Sequence, residues 1–550
     1  MELNAPPWAW IQTPAPHHRA YAERGLWEGR TIADLAIERA TEDPDFILFA
    51  EGDREISRAE LLAEAEALSV ALGDLGLVKG DVVSFQTPNW IEAAVINLAA
   101  TMSGFIINPI VPIYRDAEVG MMLSDCRAKA FFVAGQFRNY DFAAMAARLL
   151  PSLPHLAHVI QVRGDAALSY NSLLASGHGR RFDRPQVDAN DIKMLLYTSG
   201  TTGRPKGVLH NHNARARLTQ QAVAHWGIKP GDAQLIPSPV THISGFSNGL
   251  EMPFVSGTRS ILMESWNAKA ALQLIERYGV TGTVAATPFL TELASVATAA
   301  GTRLHSLRFF ACGGAAVSPA VVSAAKEAFA NCAVFRVFGS TEVPLVTLGY
   351  PAAADAELGA TTDGAVIDYE VRVVDEAGST LPAGSEGEIQ ARGPCMMVGY
   401  MDRAQTNEAI TQDGYFRTGD LGMITRDGAI LITGRKKDLI IRGGENISAK
   451  EIEDVLHLHP EVQEAAIVAM PHARLGEGVC AYVIARADGA VDATMLSRHI
   501  ETSGLAKQKI PEHFEFVTEL PRTPSGKVRK DLLRANIRTV VEESTTTEGR

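Results

Sequence analysis

The chain has 550 residues, 46% of them hydrophobic and 21% charged, which is the balance of a globular protein long enough for two or more cores. A net charge of −13, from 51 basic and 64 acidic residues, excludes a general binder of nucleic acid or anionic membrane, since either would present a basic face. Five scattered cysteines without CxxC or His-rich spacing read as reduced thiols of a cytoplasmic protein, and the N-terminus shows no basic segment followed by an apolar run.

Residues 1–30 are read as an N-terminal extension. From about Thr31 onward, apolar helices alternate with short β-rich runs. Residues 58–76 (RAELLAEAEALSVALGDLG) predict a long amphipathic helix ending at glycine, and 81–86, 130–135 and 193–198 predict strands. Residues 93–112 (AAVINLAATMSGFIINPIVP) are the most membrane-like. Two asparagines and Pro109 interrupt them, so a buried helix followed by a strand is expected rather than a membrane span. This alternation predicts mainly parallel α/β sheets. After Gly364 the pattern changes to short strands and turns, with Asp427-Gly428 as a hairpin signal, and predicts a β-rich subdomain at about 364–434. Ser448 and Glu451 have capping-box spacing ahead of Ile452, Val455 and Leu456, and 464–470 and 478–485 read as strands. The fold class is therefore α/β. A large domain (31–436) holds two α/β sheets and the β-rich subdomain, a small α+β domain (437–535) follows, and 536–550 are expected to be disordered. The charged run Arg435-Lys436-Lys437-Asp438 marks the hinge.

Residues 197–207, YTSGTTGRPKG, pack three glycines, four Ser/Thr hydroxyls and two cations behind an apolar strand. Glycines allow successive N–H groups to point inward around an anion. The run does not match GxxxxGK[ST], because Gly207 follows Lys206. It closely resembles the signature of the adenylate-forming superfamily, which includes acyl-CoA synthetases, luciferases and adenylation domains of peptide synthetases. Further motifs of that superfamily follow in order: Thr241-His242-Ile243, GGAA at 313–316, FGSTE at 338–342, YFRTGD at 415–420, GRKKD from Gly434, and PRTPSGK ending at Lys527. The resemblance spans about residues 31–533.

It implies a large domain with a small mobile domain, ATP and coenzyme A as co-substrates, and Mg²⁺. A carboxylate would attack the α-phosphorus of ATP to give acyl-AMP and pyrophosphate, and a thiol would then displace AMP. Lys527 is implied as the cation between carboxylate and phosphate, and Glu342 as the Mg²⁺ ligand. Thr341 is implied as a donor to the α-phosphate, and Thr198, Ser199, Gly200, Thr201, Thr202, Gly203 and Lys206 as the polyphosphate seat. Gly313, Gly314, Ala315 and Ala316 should pass along the adenine beside Phe338 and Gly339. Phe338 stands where relatives commonly carry tyrosine, so stacking survives but a hydroxyl is lost. Asp420 and Arg435 are implied at the ribose, and Lys437 as the hinge. Gly443, Gly444 and Glu445 would line the pantetheine path, and His242, Ile243, Gly245 and Phe246 the acyl pocket, with Thr287-Pro288 and Val343-Pro344 as further walls. Ile441 stands where luciferases place a lysine, which argues against a light-producing oxidation.

The runs GLWEGRTIADLAIERATEDPD, TPNWIEAAVINLA and NPIVPIYRDAEV resemble synthetases for cyclohexanecarboxylate and medium-chain acids. The expected partner is thus a cyclic, aromatic or medium-chain carboxylic acid. Two alternatives stay open: a ligase that loads a carrier-protein phosphopantetheine arm, and a non-catalytic nucleotide-binding homologue. The sequence also leaves homodimer formation open.

Overall fold

The computed structural model describes residues 6–11, 18–198, 205–313, 317, 319–443, 445–472, 474–486, 491–523 and 526–548. Ser199, Gly200, Thr201, Thr202, Gly203, Gly314, Ala315, Ala316 and Gly444 lie outside the described residues.

Two seven-stranded sheets form the centre of the large domain. One runs in the order Ala333–Val337, Phe309–Gly313, Gly282–Ala285, Ala233–Ile236, Arg259–Leu262, Ile47–Glu51, Arg54–Ser57. It is parallel except for its last pair. The other carries Ile192–Thr198 beside the parallel strands Ile106–Pro109, Val82–Gln86, Ala130–Ala134 and His158–Val162. On its far side Lys206–Asn211 and Gly399–Tyr400 add antiparallel strands.

The membrane-like stretch resolves as expected into helix Ile91–Ser103 and strand Ile106–Pro109. Every residue of that helix is buried. It belongs to one core cluster with Leu48 and Phe49 of the first sheet and Val83, Phe85 and Phe132 of the second, so it joins the two. Among the described residues no helix is long and apolar enough to cross a membrane. Helix Arg58–Asp74 forms where the apolar spacing predicts it, started by a capping box between Ser57 and Glu60. All five cysteines are buried and free.

The β-rich region is a five-stranded antiparallel sheet, and Phe416–Ile424 pairs with Ala429–Arg435 across the turn at Gly428, whose φ of 80° suits glycine. The small domain has its own sheet and its own core of Ile440, Ile452, Ile467, Val483, Leu496 and Ile500.

Two expectations change here. Ser448 precedes helix Ala449–Leu456 but makes no side-chain cap. Its hydroxyl donates instead to the Thr433 carbonyl of the large domain, 2.7 Å away, and Glu451 pairs with Lys509. A tertiary acceptor has outcompeted the local one. Residues 536–548, where composition predicts a disordered tail, continue helix Lys530–Glu548. Leu533 and Ile537 bury one face of it beside Ala466, Val468 and Tyr482, and that burial offsets the weak helix preference of the polar end.

The large domain also buries charge. Glu251 ends the π-helical turn Phe246–Glu251, and its carboxylate lies 2.9 Å from Lys193 and accepts from Arg215 at 3.0 Å, all three fully buried. Burial pushes the Glu251 carboxyl up, but Arg215 and Lys193 more than reverse this and hold it below the usual value. Removing the anion leaves two cations stranded in a low-dielectric interior. Glu251→Gln should therefore destabilise the large domain by roughly 3–5 kcal/mol, read as a lowered midpoint of its unfolding transition in denaturant, with the small-domain transition unmoved.

Candidate active site

Strand ends and tight turns converge at one place. Ile192–Thr198 and Lys206–Asn211 pair with Thr198 opposite Lys206, so residues 199–205 form a connection whose two ends are fixed side by side. Gly207 permits close packing there, since a Cβ would lie 2.6 Å from the Met401 sulfur. The Lys206 ammonium stands 5.2 Å from the centre of the Tyr400 ring.

Beside it, strand Ala333–Val337 runs into 338–342. The Phe338 N–H donates to Thr347 Oγ1 at 2.8 Å, and Gly339 leaves no room for a side chain, a Cβ falling 2.4 Å from the Leu345 nitrogen. Thr341 is nearly buried, and its carbonyl accepts from His210 Nε2 at 2.8 Å. Burial, helped by Arg215, pushes that imidazole down to about 3, so it stays a neutral donor. Glu342 is half-buried, and its Oε1 accepts from the Tyr400 hydroxyl at 2.9 Å. Gly313 ends the neighbouring strand, with a Cβ position 2.7 Å from the Val337 carbonyl oxygen.

Asp420 and Arg435 are cross-strand partners, with Arg435 Nε 2.5 Å from the carboxylate. Asp420 is only 3% exposed; burial raises its pKa, and Arg435 and Lys527 offset part of that rise. Lys527 comes from the small domain. It follows Gly526, whose φ of 85° makes the turn and whose Cβ position lies 3.5 Å from Ala286 and 3.9 Å from Pro288 of the large domain. The turn is closed by Thr523, which donates to the Lys527 carbonyl at 2.7 Å. Burial and Arg435 push the Lys527 ammonium down to about 8, against the opposing pull of Asp420 and Glu342. His242 feels the same cation: burial first, then Lys527, bring its imidazole down to about 4. Its Nδ1 lies 3.1 Å from the Ser244 hydroxyl. Lys527, Asp420, Arg435, Glu342 and His242 thus share one cleft, although the outermost two are separated by 285 residues (527 − 242).

The remaining predicted residues fall at its margins. Ile243 is buried and Gly245 is pressed against the Pro239 carbonyl, 2.1 Å from its Cβ position. Phe246 is fully buried, with its ring 5.1 Å from Lys193, and so lies in the core layer behind the turn. Val343 is fully buried too, and Thr287 opens helix Thr287–Ala300. Lys437 sits in the short turn Lys436–Asp438 that joins the two domains. Gly443 and Glu445 are not part of the cluster. They lie on an exposed hairpin of the small sheet, where Gly443 donates to Leu475.

Comparison with known proteins fits this geometry. Residues 37–401 match the AMP-binding enzyme family, and 451–527 match the C-terminal domain of AMP-binding enzymes. The chain belongs to the AMP-binding enzyme family. Its members are adenylate-forming ligases, as the motifs implied. Among its relatives, the medium-chain fatty-acid–CoA ligase of Escherichia coli (strain K12) is 35% identical over 94% of this chain and 92% of that protein. The vibriobactin-specific 2,3-dihydroxybenzoate-AMP ligase of Vibrio cholerae serotype O1 is 32% identical over 96% of this chain and 98% of that protein. Among solved structures, an anthranilate CoA ligase in complex with anthranoyl-AMP superposes with a TM-score of 0.86 at 25% identity, covering 94% of this chain and 98% of that one.

Sequence reasoning missed Tyr400 and His210. Each reaches the cleft through a contact with residues 58 and 131 positions away, and a local pattern carries no sign of such a contact. The cleft electrostatics make one expectation. In the ligand-free protein Lys527 should titrate near pH 8, and Asp420→Asn, by removing a charge that favours the ammonium, should lower that value further. NMR titration of ¹³C-dimethylated lysines reads both; an unchanged midpoint in the variant would show that Asp420 does not act on Lys527.

Proposed function

We propose that the protein is an acid–CoA ligase that activates a cyclic, aromatic or medium-chain carboxylic acid as acyl-AMP and passes the acyl group to coenzyme A. The observation that carries this reading is the placement of Lys527, on the small domain, among Glu342, Asp420 and Arg435 of the large one.

The first step brings a carboxylate against a polyphosphate. Like charges repel, so a cation fixed between them lowers the barrier mainly in the transition state, where both oxygens approach phosphorus in line. Lys527 fills that role electrostatically. Its depressed pKa rises again once anions arrive, so it remains charged during the step. The connection at 199–203 together with Thr198 and Lys206 seats the β- and γ-phosphates, and Thr341 donates to the α-phosphate. Asp420 accepts from the ribose hydroxyls, and Arg435 favours its charged form against the effect of burial. Gly313–Ala316 and Phe338 flank the adenine.

Glu342 suits a hard divalent cation. Mg²⁺ is commonly held by one or two carboxylates plus substrate phosphates, and among the described residues Oε2 of Glu342 accepts no hydrogen bond, while no group of three or more His, Cys, Asp or Glu side chains could hold a metal alone. When bound with ATP, the ion would neutralise the polyphosphate and ease departure of pyrophosphate.

The second step needs a thiol where Lys527 stood. Rotation at Lys437 would withdraw Lys527 and bring the hairpin of Gly443, Gly444 and Glu445 to the adenylate. Similarity to the Escherichia coli CoA ligase favours coenzyme A as the acceptor. A carrier-protein arm is the second reading, favoured by similarity to the Vibrio cholerae AMP ligase. Apolar Ile243 at the pocket turn suits a ring or alkyl chain.

A pyrophosphate-release assay across linear, alicyclic and aromatic acids, with CoA or a phosphopantetheinylated carrier as acceptor, tests the assignment. Thioester formed only on the carrier would replace the first reading by the second, and no pyrophosphate with any acid would remove both. Lys527→Ala should reduce acyl-AMP formation by about 10²-fold or more while leaving thioester formation from supplied acyl-AMP nearly intact. Equal loss in both half-reactions would contradict the role given to this lysine. Lys437→Pro, by stiffening the turn, should slow the thioester step more than adenylation, as single-turnover measurement of each would reveal.

A further inference from the structure

Tyr400 lies between two groups of opposite charge that both face the cleft. Its hydroxyl is 2.9 Å from Glu342 Oε1, and its ring centre is 5.2 Å from the Lys206 ammonium. The side chain is almost fully buried, 3% exposed, so both contacts are made away from bulk water. A phenol hydroxyl can donate and a carboxylate oxygen only accepts, so the hydrogen bond runs from Tyr400 to Glu342. A carboxylate tied at one oxygen to a fixed donor keeps its other oxygen in a defined direction.

The frame that carries Tyr400 is rigid. Val208 and Tyr400 are cross-strand partners, Met397 N–H donates to the Glu342 carbonyl at 2.8 Å, and Met401 N–H donates to the Gly207 carbonyl at 2.8 Å. Thr406 Oγ1 accepts from the Tyr400 N–H at 2.9 Å, and Trp10 of the N-terminal extension donates to the Met401 carbonyl at 2.9 Å. One side chain on this frame thereby sets the spacing between an anion on the segment that follows strand Ala333–Val337 and a cation on strand Lys206–Asn211.

We infer that Tyr400 is a positioning residue that couples divalent-cation binding to polyphosphate binding, its hydroxyl aiming Glu342 Oε2 at the cation and its ring holding Lys206 toward the phosphates. The inference rests on the reading of Glu342 as the cation ligand. It separates two contributions within one residue: the hydroxyl acts on the cation, and the ring acts on the lysine.

Calorimetric ATP binding, with a non-hydrolysable analogue, in Mg²⁺ and in chelator, measures each contribution without turnover. Tyr400→Phe keeps the ring. It should reduce the gain in affinity that Mg²⁺ confers by about tenfold, the scale of a lost charge-assisted hydrogen bond, and leave affinity in chelator within about twofold. Tyr400→Leu should weaken binding in chelator as well, because the cation–π contact is also lost. Loss of equal size in both conditions for Tyr400→Phe, or an unchanged Mg²⁺ effect, would overturn the inference. Glu342→Gln distinguishes the two layers of the argument. If it leaves the Mg²⁺ effect intact, the reading of Glu342 fails. If it removes the effect while Tyr400→Phe does not, the role of Tyr400 alone fails. In the double variant Tyr400→Phe should add nothing to Glu342→Gln, and additive losses would likewise overturn the coupling. Should either tyrosine variant fold poorly, the same cycle run with Trp10→Phe, which loosens the frame through the Met401 carbonyl and so disturbs both contacts, should weaken binding in chelator and also reduce the gain that Mg²⁺ confers, each at smaller size, and an unchanged Mg²⁺ gain beside weakened binding would count against it.

Discussion

The cleft is organised by a charge balance left deliberately open on the positive side. Lys527, Arg435, Lys437 and Lys206 face or border it, against Asp420 and Glu342. Asp420 is already taken by Arg435, and Glu342 is held at one oxygen by a neutral phenol rather than by a cation. If Glu342 is the cation ligand proposed above, neutralising it with an arginine would have made a stable ion pair and a poor ligand. A hydroxyl satisfies the carboxylate's geometry without consuming its charge. Lys527 is the complementary case. Desolvation weakens its hold on the proton until an anion is present, so in the proposed role its favourable interaction is kept for the moment when substrate and nucleotide meet.

On the two-step reading proposed above, that cation must also be able to leave. The small domain has a core separate from the clusters of the large domain, and the Lys527 turn faces the large domain at Gly526, where a Cβ would lie 3.5 Å from Ala286 and 3.9 Å from Pro288. Ser448 to the Thr433 carbonyl is a further point of attachment. The short turn Lys436–Asp438 is anchored on both flanks, by Lys436 to Glu388 of the large domain and by Asp438 to Arg534 of the small one, at 2.9 and 3.0 Å. Lys437 lies between them, where the proposed rotation would turn the backbone.

Much of this was legible in the sequence because it is local. Helix Arg58–Asp74, the buried helix Ile91–Ser103 and the hairpin at Gly428 follow from apolar period and turn chemistry acting within a dozen residues. The motif residues Lys527, Glu342, Asp420 and Arg435 were found through resemblance, and their convergence depends on strand order, which no window of sequence contains. Where local and distant partners competed, the distant one could win. Ser448 and Glu451 have the spacing of a capping box, yet one bonds Thr433 and the other Lys509. The composition of the tail speaks for disorder, but Leu533 and Ile537 find an apolar surface that the tail alone does not reveal.

Tyr400 shows why the last layer of a site is the hardest to read. Its neighbours in sequence, Gly399 and Met401, serve the backbone: one is a strand position and the other fills the space over Gly207. Nothing in that run distinguishes a tyrosine needed for its hydroxyl from one needed for bulk. The distinction arises only when the strand is zipped to Lys206–Asn211 in a register that puts residue 400 opposite Val208, since a shift by one residue would turn the ring to the other face of the sheet. The functional meaning of the phenol is therefore a property of register. Register in turn is fixed by groups with no chemical role, such as the Met397, Val398 and Met401 amides and the Trp10 indole. An apolar and backbone scaffold thus determines how a carboxylate and an ammonium stand on either side of one ring, and substitutions in that scaffold would move both without touching a charged group.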